Sequence, residues 1–268
     1  MPSGNLPLGS VSVYADEYNP KVLCPIERSI GRAQLRYKSF RGFDLWRLYE
    51  ITCLDTRGIP QVYCATLKVD ASSPRIIESK SLKLYTLSFT MTKFSGPDEM
   101  AAIMRRDLSK ELESEVEVQI WPVEQCPFTP AEKPGILIDN ETPSGITYDY
   151  RPELLACEDE EETEELLRSD VLRTLCPVTS QPDHAEIFIR YRGRRISRPG
   201  LLAYLISLRT HKGFHEQCCE LIYSDIKTLL KPERLCVCCN FTRRGGIDIN
   251  PLRCEGFDAA DPIRTLRQ

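Results

Sequence analysis

The sequence predicts an α+β fold in two similar halves, each an antiparallel sheet with helices layered on one face. Short stretches of apolar–polar alternation mark strands, and longer stretches with apolar residues every third or fourth position mark helices. The same order, strands followed by two helices and a closing strand or pair, recurs along the 268 residues.

In the first half Tyr49, Ile51 and Cys53 alternate with polar partners, as do Tyr63, Ala65, Leu67 and Val69. Asp55-Thr-Arg-Gly58 between them reads as a hairpin turn. Leu82, Tyr85 and Phe89 fall on one helical face. A second helix opens after Pro97-Asp98-Glu99 and spaces Met100, Ile103, Met104, Leu108 and Leu112 helically. Val116, Val118 and Ile120 return to a strand. In the second half Ile187, Ile189 and Tyr191 alternate, Leu201, Leu205 and Leu208 mark a helix, and Phe214, Cys218, Leu221, Ile222 and Leu229 mark another. Leu235, Val237, Cys239 and Phe241 alternate again ahead of the turn Arg243-Arg-Gly-Gly246. Between the halves lies a Pro-rich and then acidic stretch. Its run from Glu158 to Glu165 reads as a solvated helix face or linker rather than a partner-binding patch. The boundary falls near residue 145, giving domains of residues 1–145 and 146–268.

An apolar content of 41% and a charged content of 28% are those of a soluble globular protein. The net charge of −4 argues against direct nucleic-acid binding, which needs an excess of Lys and Arg over phosphate. From His184 onward, however, 15 basic residues face 9 acidic ones, a balance of +6 that suits a small phosphorylated ligand. Met1 to Ser10 lacks a cationic start followed by an apolar run, and no apolar stretch approaches a membrane span. Twelve cysteines are too few, in too long a chain, for a small secreted disulfide scaffold. A cytoplasmic protein with reduced thiols is expected.

Neither Gly-x-Gly-x-x-Gly nor a Walker A loop occurs, so the usual nucleotide cradles are missing. His184, His211 and His215 form a three-His zinc site only if all converge. His215-Glu216 begins like a metalloprotease helix, yet Cys219 stands where the second His belongs. Cys236 and Cys239 have zinc-knuckle spacing, but alternation sends them to opposite strand faces and no second pair completes four ligands. No metal is expected.

Three segments remain. Cys176-Pro-Val-Thr-Ser-Gln-Pro-Asp183 is a polar loop where a thiol can be activated, with Asp183 able to fold back as a proton donor. On these residues alone an unreactive thiol is the commoner reading. Glu78-Ser-Lys-Ser-Leu-Lys-Leu-Tyr85 offers backbone amides and a cation to an anion at a helix start, and equally reads as a capped, solvated helix. Phe214-His-Glu216 sets an imidazole beside a carboxylate. Arg243-Arg-Gly-Gly246 is a loop that could grip phosphate, or a hairpin turn with two solvated arginines.

Together these segments resemble the nitrile reductases of queuosine biosynthesis, the 7-cyano-7-deazaguanine reductases. The stretch Glu78 to Tyr85 looks like their signature. The loop Cys176 to Asp183, the pair His215-Glu216 and the turn Thr242-Arg-Arg-Gly-Gly-Ile-Asp-Ile-Asn-Pro251 match in the same order. The likeness is to the long, two-module branch, which implies two tandem tunnelling-fold domains. It further implies reduction of 7-cyano-7-deazaguanine to 7-aminomethyl-7-deazaguanine with two NADPH, through a thioimidate on Cys176. In that reading Asp183 is the proton donor and His215 assists in proton handling or substrate orientation. Glu78 and Glu216 accept from the guanine-like edge, with Ile77 and Ser79 also at the substrate. Ser79, Lys80, Arg244 and Gly245 hold the NADPH phosphates. Related tunnelling-fold enzymes form rings with sites between subunits, so a homodimer or larger assembly is implied. The rivals are a metal-dependent pterin enzyme of the same fold and a non-catalytic purine-binding module.

Overall fold

A computed structural model describes residues 14–143 and 145–268. The leader reading at Met1 to Ser10 lies outside the described residues. The chain separates into two compact units, interleaved in sequence.

The first comprises Leu45–Phe128, Arg243–Asp248 and the segment ending at Ile30. Strand β1 (Pro25–Glu27) leads into the short helix α1 (Arg28–Arg32), followed by the long strands β2 (Gly42–Leu54) and β3 (Pro60–Asp70). The turn joining β2 to β3 forms because the Asp55 carboxylate accepts the N–H groups of Arg57 and Ile59, both at 2.9 Å, while Gly58 takes φ +89°. Strand β4 (Arg75–Ile77) pairs antiparallel with β1 and runs directly toward helix α2 (Ser79–Leu87). Helix α3 (Pro97–Leu112) starts with Pro at its first position and two acids in its first turn, which suits the helix dipole. It buries Met100, Met104, Leu108 and Leu112, the stripe expected from their spacing. Strand β5 (Val116–Pro122) pairs antiparallel with β3, giving the order β5-β3-β2.

The second unit comprises Gly31–Asp44, Thr129–Thr242 and Ile249–Gln268. Its strands are β6 (Ile136–Leu137), β7 (Cys157–Leu175), β8 (Pro182–Ile196), β9 (Arg234–Phe241) and β10 (Ile247–Glu255), in the order β10-β9-β8-β7-β6. All neighbours are antiparallel except β6 and β7. Between β8 and β9 run helices α4 (Arg198–Ser207) and α5 (His215–Leu229). The Cys219 thiol of α5 donates to the Val237 and Pro251 carbonyls at 3.6 and 3.4 Å, which seats the helix on β9 and β10. Arg253 of β10 is fully buried, yet its guanidinium meets Asp44 and Glu220 at 2.8 Å each, and Arg32 reaches Glu220 at 2.6 Å. A charge so buried is tolerable only when paired this way.

Two sequence expectations need correction. The acidic run Glu158 to Glu165 is neither linker nor helix face but the outer half of β7. It pairs with basic β8: Glu160 with Arg194 and Glu161 with Arg195 at 2.8 Å, and Glu164 with Arg190 at 2.5 Å. On β7 the residues from Glu158 to Glu162 are exposed on both faces, so apolar alternation is absent from that strand and cross-strand charge supports the pairing. The segment from Thr242 to Pro251 is also not all turn. Arg243 to Gly246 turns, and Ile247 onward is β10.

Candidate active site

The residues singled out in the sequence fall into two clusters, one in each unit.

In the second unit β7 ends at Leu175, and the chain returns through Cys176 to Gln181 into β8. Two bonds close the loop, from the Cys176 N–H to the Gln181 carbonyl at 2.9 Å and from the Ser180 N–H to the Cys176 carbonyl at 3.0 Å. Thr174 stands directly opposite Asp183 in the ladder. Side chains directly opposite in the ladder share a face, so those of Thr174 and Asp183 lie together, and Cys176 follows β7 at once in the loop that joins the two strands. The loop is braced from outside: the Leu175 N–H donates to the His211 carbonyl at 2.8 Å, and the Gly213 N–H to the Leu175 carbonyl at 3.1 Å. That bracing ties it to the connection that opens α5 at His215.

The His215 ring stacks on Phe241, 3.9 Å between centroids and 10° from parallel, with Nε2 3.5 Å from Asp183 Oδ2. Its Nδ1 is buried with no hydrogen-bond partner among the described residues. Cys176, Asp183 and Glu216 are 6%, 7% and 3% exposed, so water has little access. The neighbouring thiol of Cys218 is pushed up to about 12 by burial, with Asp183 and Glu216 adding to the shift. It stays protonated and is a poor nucleophile at neutral pH.

In the first unit Ile77, 4% exposed, ends β4, and Glu78 caps α2. The Glu78 carboxylate accepts the N–H groups of Lys80 at 2.9 Å and Ser81 at 2.7 Å, with the Ser79 hydroxyl at 3.5 Å. Burial pushes the Glu78 carboxyl up, and those same hydrogen bonds oppose the shift. Ser79 and Lys80 are half-buried at the start of α2. One turn on, Lys83 lies against the turn after β9. A Cβ at Gly245 would stand 2.9 Å from Lys83 Nζ, and Gly245 has φ +63°, so this position is closed to side chains on two counts. Arg243 covers the Tyr49 ring at 4.5 Å, while Arg244 is exposed and its N–H closes the turn on the Ile247 carbonyl at 2.9 Å.

Asp183 and His215 thus meet across 32 positions of sequence, as do α2 and the Gly245 turn over a longer span. Sequence reasoning missed Phe241 and Lys83. Phe241 gave only a strand's alternation, with nothing to show that an imidazole lies on it. Lys83 was legible, since its spacing from Lys80 places both on one edge of α2.

A family model described as "Nitrile reductase, 7-cyano-7-deazaguanine-reductase N-term" matches residues 14–120, and one described as "QueF-like protein" matches residues 182–259. The NADPH-dependent 7-cyano-7-deazaguanine reductase of Dechloromonas aromatica is 43% identical over 273 residues, covering 100% of this chain and 96% of that protein. The enzyme of the same name from Bordetella pertussis is 42% identical over 274 residues, with 100% of both covered. That from Burkholderia multivorans is 44% identical over 268 residues, with 98% of each covered. The chain belongs to the NADPH-dependent 7-cyano-7-deazaguanine reductase family.

Proposed function

We propose that the chain reduces the nitrile of 7-cyano-7-deazaguanine to the primary amine with Cys176 as nucleophile and Asp183 as proton donor. The observation that carries this reading is the buried group of Asp183 and His215, 3.5 Å apart, at the β7–β8 connection that carries the buried Cys176. A nitrile carbon is a weak hydride acceptor. Addition of the Cys176 sulfur forms a C–S bond and moves an electron pair to nitrogen, which takes a proton from Asp183. The resulting thioimidate is more electrophilic. Two NADPH, bound in turn, would each supply one hydride, the first for the thioimidate carbon and the second for the imine left when the C–S bond breaks. His215 is held flat by Phe241 and by Asp183, and its Nδ1 is placed to orient a polar edge of the substrate. Glu216 offers acceptors to the purine N–H groups. Glu78 has lone pairs beyond its two cap bonds for the same purpose, with the chain at Ile77 and Ser79 beside it.

The residues fit a phosphate-bearing cofactor. Glycine at 245 leaves backbone approachable beside the Lys83 ammonium, and Lys80 with Ser79 stands at a helix N-terminus. Ser79, Lys80, Arg244 and Gly245 hold NADPH in this reading. In functional terms residues 1–145 supply the signature segment and residues 146–268 the thiol chemistry. The enzyme works in the cytoplasm as a homodimer. No helix among the described residues is long and apolar enough to cross a membrane. Among the described residues no strand pairs with the outer edge of β5, an edge open to a second copy.

Mixing the protein with the nitrile while NADPH is withheld, and measuring intact mass, tests the assignment. Wild type gains one substrate mass and Cys176→Ala gains none. An adduct that persists in the variant overturns it.

A further inference from the structure

All twelve cysteines are free thiols. Three pairs of them nevertheless lie close enough for each thiol to shift the other: Cys64 with Cys126, Cys219 with Cys239, and Cys236 with Cys254. The second pair is fully buried where α5 meets β9, out of reach of a dissolved oxidant. In the first, Cys64 is 1% exposed and its thiol is pushed up to about 12 by burial and by Cys126, which suppresses the thiolate that oxidation needs.

The third pair is built differently. Cys254 of β10 is the direct ladder partner of Cys236 of β9, and Arg190 of β8 is the ladder partner of Cys236 on its other side. Side chains directly opposite in adjacent strands share a face, so a guanidinium and two thiols stand in one row across three strands. Opposed Cα atoms in an antiparallel ladder lie about 4.5 or 5.5 Å apart, and both spacings fall within the roughly 4.4–6.8 Å that a disulfide spans. Cys236 is half-buried and Cys254 is 6% exposed, so the row is reachable at its Cys236 end. Interaction with the opposed Cys236 thiol, ahead of the Phe257 carbonyl contact and the Arg190 charge and against burial, holds the Cys254 thiol below its ordinary range. Cys236 is shifted upward by the opposed Cys254 thiol and by burial.

We propose that Cys236 and Cys254 form a redox-active dithiol, separate from Cys176, that hydrogen peroxide converts to a cross-strand disulfide and small thiols restore. The Cys254 thiolate attacks one peroxide oxygen. The O–O bond breaks, sulfur becomes a sulfenic acid, and the other oxygen leaves as water after taking a proton. The Cys236 sulfur then attacks the sulfenic sulfur, the S–O bond breaks, and the Cys236 proton leaves with that oxygen as a second water. Two thiols lose two electrons and one peroxide gains them.

The test uses the reduced full chain, exposed to a small excess of hydrogen peroxide, capped with N-ethylmaleimide and digested with trypsin. The expected product is peptide 235–243 joined through Cys236 to peptide 254–264, about 2 Da lighter than the two peptides would be with Cys236 and Cys254 as free thiols and Cys238 and Cys239 in the same state. Alkylation at Cys236 and Cys254 is lost on oxidation and returns after dithiothreitol, and the joined peptide is missing from Cys236→Ser and Cys254→Ser. Full alkylation of both cysteines after peroxide overturns the proposal. So does a sulfinic acid at Cys254 without a bridge, or a bridge between any other pair. The wild-type digest decides all of these, so a variant that fails to fold leaves the test intact.

Discussion

Helices α2 and α5 both carry an acidic residue at their start, and the two acids are held differently. At α2 the acid is the cap itself: Glu78 bonds the N–H groups of Lys80 and Ser81. At α5 the Phe214 N–H is met by the Gln217 side chain at 3.2 Å, and Glu216 sits inside the first turn rather than on its cap. His215 ahead of it rests on Phe241 beside Asp183. An acid at a helix N-terminus is electrostatically favourable in either place. What it does next depends on which side chain satisfies the unpaired backbone donors. Where the acid satisfies them, as Glu78 does, part of its acceptor capacity is committed to the scaffold. Where a neighbouring Gln meets the N–H ahead of the helix, as Gln217 does, the acid is not the cap.

Asp183→Asn should produce the largest effect, because it strikes the α5 cluster at its chemistry and keeps its shape. Turnover should fall by about 10² to 10⁴ while nitrile binding and thermal stability stay near wild type. Stopped-flow adduct formation would localise the loss to the proton-dependent step. Near-normal turnover would mean that another group, His215 foremost, delivers the proton.

The two acids themselves give the sharpest comparison. Glu216→Gln should weaken nitrile binding by roughly 1.5 to 3 kcal/mol, about ten- to a hundredfold, with little change in melting temperature. Glu78→Gln should cost about 0.5 to 2 kcal/mol of stability as a lost cap, lowering the melting temperature by a few degrees. Calorimetry on both variants separates the outcomes. Equal thermal losses would erase the distinction drawn between the helix starts.

How much of this was legible in the sequence follows from what each residue had to reveal. Helix α3 was readable because Met100, Met104, Leu108 and Leu112 repeat on one buried stripe. Strand β7 was not, because its outer half carries charge on both faces and only β8 supplies the reason. Glu78 illustrates the limit at the site. Its place at a helix start was plain from Glu78-Ser-Lys-Ser, but whether its carboxylate would turn back onto Lys80 and Ser81 is a matter of rotamer and burial. Likewise the approach of Asp183 to His215 depends on how the Leu175 bonds to His211 and Gly213 fold the chain, which no local pattern encodes.

At the α2 end, Arg244→Ala and Lys80→Ala should each raise the apparent constant for NADPH several-fold, as expected for exposed or half-exposed phosphate contacts of modest strength. Constants for the nitrile should barely move. Steady-state kinetics with each substrate varied in turn would show it, and wild-type NADPH constants in both variants would relocate the cofactor.

The smallest effect is a pH dependence, and it isolates the Glu78 cap from every other carboxylate. Burial is the dominant influence on this group and raises its carboxyl above the ordinary range, with the Lys80 and Ser81 N–H bonds, the Ser79 hydroxyl and the Lys80 charge pulling the other way. A carboxyl raised in the folded state holds its proton to higher pH than it does in the unfolded chain. Its stabilising contribution is complete below the unfolded value, near 4.3, and fades as pH rises through the folded value. Gln at this position carries no proton to lose. The melting-temperature gap between wild type and Glu78→Gln should therefore be widest near pH 4 and narrow toward pH 7, since the remaining acids titrate alike in both proteins. The nearby Cys24 thiol, itself shifted upward by burial and by Glu78, stays protonated throughout that window. A gap that widens with pH would mean that the two cap bonds outweigh burial and hold the carboxyl below its ordinary value. The α2 start would then be an electrostatic anion site in its own right, and the contrast with α5 would be one of degree.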